Sequence, residues 1–139
     1  MNYQLIEKNY MATQNDPLTS LFINDAKSVD REQLASLDKP FLSFDQETKE
    51  FIFLPAFREI KGNMEKIEIL LTGAKARSLY LNELDGLEPG KIISFEIMPA
   101  GSCKSSLKKL YDDRKIKKQD NRYVIPAYRI PELLKQFIK

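Results

Sequence analysis

Residues 41–54, FLSFDQETKEFIFL, restrict the fold more than any other stretch of the chain. Two runs rich in aromatic and aliphatic residues, Phe41 to Phe44 and Phe51 to Leu54, flank a polar turn at Asp45–Lys49, the pattern of an antiparallel hairpin. Pro55 ends the second strand, because proline has no N–H to give to a ladder. The four phenylalanines Phe41, Phe44, Phe51 and Phe53 suit a packed core better than an exposed stacking platform. An isolated hairpin is marginal in water, so the rest of the chain must supply a layer to cover it.

Upstream, residues 1–16 mix polar residues with scattered apolar ones and read as a docked N-terminal arm. Asp16-Pro17 is a favoured helix start, and Leu18, Leu21 and Phe22 then share one helical face. A second helix is expected from Asp30, with Leu34 and Leu37 facing inward and Pro40 stopping it. Downstream, KIEILL at 66–71 alternates as a half-buried strand would, Gly73 breaks it, and 74–81 leans toward a further strand. Asp85-Gly86 and Pro89-Gly90 read as turns, and KIISFEIM at 91–98 predicts another strand closed by Pro99. The 139 residues fit one domain spanning 1–139. Its expected class is α+β: short N-terminal helices, a mainly antiparallel sheet over about 41–98, and a C-terminal helix–strand–helix.

Charge is divided sharply along the chain. Residues 1–101 hold 11 Lys/Arg against 16 Asp/Glu, whereas residues 102–139 hold 11 against 4. A basic C-terminal subregion in an otherwise acidic chain points to a polyanionic partner, DNA or RNA. Within it a helix is expected near Ser102–Ser106, followed by the polar connection 117–122, the short strand Tyr123-Val124-Ile125, and a terminal helix beginning around Arg129–Pro131. Lys104, Lys108 and Lys115 fall along one flank of the first helix, and Lys117, Lys118 and Arg122 lie on the connection beside Tyr123. These seven are the candidate nucleic-acid-binding residues, the lysines and arginine for phosphates and the tyrosine for stacking on a base. Asp112, Asp113 and Asp120 sit in the same patch and oppose phosphate.

The order of helix, basic turn and tyrosine-bearing strand resembles the second half of a winged-helix module. There the helix would enter a groove while Lys117, Lys118 and Arg122 on the wing touch phosphates. The likeness covers about twenty residues. The strand expected over 91–98 stands where such a module has its second helix, so membership of that family is not inferred.

No catalytic signature accompanies this patch. Histidine is absent, which removes imidazole bases, imidazole metal ligands and Ser-His or Cys-His nucleophile pairs. Cys103 is the single cysteine, so an intramolecular disulfide cannot form, and a reducing, cytoplasmic setting is expected. AGSCKSS lacks the glycine spacing of a phosphate loop. The start carries no secretory pattern, and no apolar run is long enough to span a bilayer. The expectation is a small non-enzymatic nucleic-acid-binding protein without metal or cofactor. The alternative is a protein-interaction module, an inhibitor or adaptor of the kind that phages and mobile elements encode.

Overall fold

A computed structural model describes residues 16–138. The expected N-terminal arm therefore lies, apart from Asp16, outside the described residues. Asp16 accepts a hydrogen bond from the Leu18 N–H (2.9 Å) as a cap should, and Pro17 opens a short 3-10 turn, Pro17–Leu21. No amphipathic helix follows: Leu18, Leu21 and Phe22 are all exposed. The next helix, α1 (Arg31–Asp38), forms as expected, its N-terminus closed by Asp30 accepting from the N–H groups of Glu32 and Gln33.

The hairpin is present, with β1 (Leu42–Phe44) paired antiparallel to β2 (Phe51–Phe53) and Ser43 opposite Ile52. Asp45 organises its turn by accepting from the N–H groups of Thr48 and Glu47, and these bonds hold its carboxyl below the usual range. Pro55 ends the strand and also begins a single helical turn, α2 (Pro55–Arg58). The phenylalanines go into the core: Phe51 and Phe53 pack edge-on against Phe95 at 5.2 and 5.3 Å, and Phe41 meets Phe137 at 5.6 Å.

From Gly62 onward the strands expected over 66–71 and 74–81 are instead one long helix, α3 (Asn63–Leu81). The reason is where the helix sits. Residues 67 through 75 are all buried, so α3 is the central rod of the domain, contacted by α1, by the C-terminal hairpin and by the helix α5 described below. A helix buried all round has no polar face, and the 3.6-residue period that would identify it is erased. The apparent alternation came from Glu68 and Lys75, which look like solvent-facing residues but are both buried. Gly73 does not break the element. A Cβ there would come within 2.5 Å of Leu42 Cδ1 and 3.2 Å of Phe51 Cε1, so the glycine lets the hairpin lie against the helix.

The strand expected over 91–98 does not form: its first half belongs to the helix α4 (Pro89–Ser94), where Pro89 occupies the first helical turn rather than a β-turn, and 95–98 are turn and bend. α5 (Ala100–Asp112) follows and buries Cys103, Leu107 and Leu110. It starts at Ala100, so Ser102, Ser105 and Ser106 lie inside the helix and cap nothing. The connection expected at 117–122 contains a strand of its own: β3 (Lys117–Gln119) pairs antiparallel with β4 (Arg122–Val124). Asp120 at the tip adopts φ 55°. The last helix, α6 (Arg129–Phe137), buries Ile130 and Leu133 and packs on α1. The class is thus α+β in one domain, with two small antiparallel hairpins on a helical core. Ile67, Ile69, Leu70 and Leu71 of α3 are fully buried, each contributing about 1.5–3 kcal/mol.

Two charged clusters tie this core together. Glu68 on α3 accepts from Arg129 Nε (3.1 Å) and Nη2 (2.5 Å), while Arg129 also pairs with Glu132. Burial pushes the Glu68 carboxyl up, against the opposing pull of Arg129. Lys75 is 2% exposed and donates both to Asp25 and to Asp85 Oδ2 (2.5 Å). Asp25 in turn accepts from the Ala127 N–H at 2.7 Å, so one buried ammonium joins the N-terminal turns, the α3–α4 loop and the approach to α6.

Candidate functional site

The basic subregion folds into α5 and the β3–β4 hairpin, with α4 packed against α5. Leu87, just before α4, exchanges backbone hydrogen bonds with Tyr123 (3.0 and 2.8 Å), adding a one-residue bridge to the edge of β4. Between α4 and α5 the chain turns at Glu96, which holds φ 55°, a left-handed geometry that commonly reverses the chain between two packed helices.

The structure divides the seven candidate residues into two groups. Lys104 and Lys108 project from the exposed side of α5, and Lys117 and Lys118 from β3. Lys104, Lys117 and Lys118 make no ion pair among the described residues, whereas Lys108 pairs with Asp112 one turn away (2.9 Å). Neighbouring strand residues face opposite sides: Lys117 lies over the Tyr128 ring (6.0 Å) and Lys118 over the Tyr123 ring (5.4 Å).

The other three turn inward. Lys115 is half-buried and close enough to Glu68 to favour its charge. Tyr123 is half-buried, its ring edge-on to Tyr111 at 6.4 Å. Arg122 donates through Nε to the Asp85 carbonyl (2.8 Å) and through Nη2 to those of Leu84 (3.2 Å) and Gly86 (2.6 Å). Its guanidinium fastens the 84–86 loop to the hairpin, and it is a positioning residue for β4.

Sequence reasoning missed the exposed Lys109 and Arg114 and the side-chain setting of Tyr111 and Tyr128. Lys109 was visible in the same lysine run, but its pairing with Asp113 (4.0 Å) was not. The acids concentrate at the C-terminal end of α5, where Asp112 and Asp113 balance Lys108 and Lys109. The N-terminal half keeps Gly101, Lys104 and Ser105 exposed, with open space beside Gly101. Lys104 stands eight residues before Asp112, about 12 Å along the axis. Cys103 is buried, and burial pushes its thiol up, which makes it a poor nucleophile. No group of three His, Cys, Asp or Glu among the described residues is placed to hold a metal ion, and no described helix is long and apolar enough to cross a membrane.

A separate concavity of about 660 Å³ opens between α1, the β1–β2 hairpin and the C-terminal half of α3. At its wall Asp38, 6% exposed, stands with Oδ1 2.5 Å from the Thr72 hydroxyl, while its Oδ2 is buried without a hydrogen-bond partner. Burial pushes the Asp38 carboxyl up to about 7, and the Thr72 contact only partly offsets this. The Thr72 hydroxyl also lies 2.8 Å from the Ile69 carbonyl, and its one proton cannot serve both acceptors. A protonated Asp38 resolves this, donating to Thr72 while Thr72 donates to Ile69.

No family model, curated protein or solved structure matches this chain.

Proposed function

We propose that this is a non-enzymatic DNA-binding protein that places α5 in the major groove of a duplex and rests the β3–β4 hairpin on the flanking phosphates. The order of elements carries the reading: a long helix α3, an edge residue Leu87 bridged to β4, α4, a turn, α5, then a basic hairpin. This is the order of a helix–turn–helix followed by a wing, with α4 in the place where the sequence suggested a strand. In such units the N-terminal residues of the second helix reach base edges. Here those are Gly101, Lys104 and Ser105, exposed and remote from the acids that neutralise the far end of α5. Lys117 and Lys118 supply phosphate contacts from the wing.

The test is a fluorescence-anisotropy titration against labelled duplex DNA, single-stranded DNA and RNA at several salt concentrations. Duplex binding should weaken with salt, and Lys117→Ala/Lys118→Ala should lower the slope of log K against log salt by about 2, one phosphate contact per lysine. Lys104→Ala should reduce discrimination among duplex sequences. Absence of binding at low salt, or a slope unchanged in the wing variant, refutes the reading. Preference for single strands would favour the Lys–Tyr surface over the groove.

A protein-interaction role is favoured by one observation, the exposed run Leu21, Phe22 and Ile23 (72%, 81% and 75%). Its check is sedimentation of wild type beside Leu21→Ser/Phe22→Ser. Concentration-dependent assembly lost in the variant would support it.

A further inference from the structure

Residues 16–28 lie on the domain without burying a side chain. Asp25 anchors them, its carboxylate taken by the buried Lys75 ammonium and by the Ala127 N–H (2.7 Å). The apolar residues of this anchored segment stay in water: Leu18, Leu21, Phe22 and Ile23 are 59%, 72%, 81% and 75% exposed. A 3-10 turn repeats every three residues, so Leu18 and Leu21 stand on one side of Pro17–Leu21. The chain then extends at Phe22 (φ −98°, ψ 117°), which continues the apolar run. Single exposed apolar residues are ordinary, but a contiguous group of four marks a contact surface. Its tether to Lys75 orders it before any partner arrives, which lowers the entropy cost of docking.

The charges at the two ends of the run select what covers it. Asp16 stands five residues before Leu21, and Lys27 stands five residues after Phe22. Neither forms an ion pair among the described residues. The segment is therefore complementary to itself when reversed. About a two-fold axis between Leu21 and Phe22, each Leu21 meets the second copy's Phe22 and each Asp16 meets the second copy's Lys27. Asp25, which that axis sets opposite Leu18, is already neutralised by Lys75. The four apolar residues expose on the order of 500 Å² per copy, so covering both sets removes roughly 1,000 Å², about the least that a specific interface needs. A contact of that size is weak and forms at micromolar concentrations.

We infer that Leu18–Ile23 is the contact through which a second copy of this chain pairs antiparallel, with two Asp16–Lys27 ion pairs closing its ends. This names the partner for the protein-interaction role above. It does not rest on DNA binding, since the contact shares no residue with α5 or the β3–β4 hairpin.

The experiment is sedimentation equilibrium of the intact chain without nucleic acid, from micromolar to submillimolar concentration, at low and moderate salt. Wild type should show a monomer–dimer equilibrium, and Leu21→Ser/Phe22→Ser should stay monomeric. Lys27→Glu sets like charges opposite each other at both ends of the contact. It should weaken the dimer by about fivefold or more at low salt, and by less as salt screens the repulsion. Adding Asp16→Asn, which keeps a cap for the Leu18 N–H, removes the repulsion and should restore most of the loss. A wild type that remains monomeric throughout overturns the inference. So does a Lys27→Glu chain that dimerises like wild type, or one that Asp16→Asn does not relieve, even where Leu21→Ser/Phe22→Ser abolishes assembly. With no nucleic acid in the cell, none of these outcomes depends on whether the α5 surface binds a duplex.

Discussion

Asp38 makes the sharpest physical prediction. In the unfolded chain its carboxyl ionises near 3.8, whereas in the fold burial raises it to about 7. The shift is roughly three units, and at about 1.4 kcal/mol per unit it corresponds to about 4 kcal/mol. Because the folded value lies above the unfolded one, the contribution is fully present below pH 4. It declines as the unfolded chain sheds a proton that the folded protein keeps, and it is gone once pH passes about 7. Asp38→Asn removes the ionisation but places an amide N–H₂ at the buried Oδ2 position, a cost of about 1–2 kcal/mol at every pH. The variant should therefore be less stable than wild type near pH 4.5 and more stable by about 2–3 kcal/mol near pH 8, the two curves crossing in between. Urea unfolding followed by far-ultraviolet circular dichroism, from pH 4.5 to 9, measures both. Every other titrating group is shared, so the difference curve isolates Asp38. A difference that stays constant across that range would refute the claim that Asp38 is buried and protonated.

Lys75→Met should cost about 3 kcal/mol, since it leaves Asp25 and Asp85 without their common cation and one Asp85 oxygen is already unpartnered. Limited proteolysis should then cut first near Asp25, and an unchanged urea midpoint would count against the clasp. Gly86→Ala should cost about 2 kcal/mol or more, because Gly86 holds φ 86° and a Cβ would come within 2.4 Å of the Tyr123 carbonyl oxygen. Under the proposed function the same change should also weaken duplex binding by displacing β4, and a variant with wild-type stability would contradict the bridge between Leu87 and Tyr123.

What could be read from the residues alone was local. The hairpin at 41–54 declared itself through two apolar runs around a polar turn, and Asp30 and Pro40 bracketed α1, because caps, turns and prolines act over a few residues. The basic C-terminal subregion was equally plain, and Lys104, Lys108, Lys117 and Lys118 do reach solvent there. Composition could not say that Arg122 would spend its guanidinium on three carbonyls some 36 to 38 residues away, or that Lys115 and Tyr123 would turn partly inward.

The largest error, over 66–81, has one cause. Glu68 and Lys75 mimic the polar beat of a strand, yet both are buried by partners distant in sequence, Arg129 for one and Asp25 with Asp85 for the other. A charge becomes compatible with the interior only when its counter-charge arrives, and that arrival is a tertiary event. The cleft is hidden for the same reason, since Asp38, Arg31, Lys49 and Arg77 belong to three segments that meet only in the folded chain. The sequence alone determined short-range geometry and the sign of the surface. The tertiary structure decided that 63–81 is the central helix, that 89–112 holds two packed helices before a basic hairpin, and which charges remain available to a ligand.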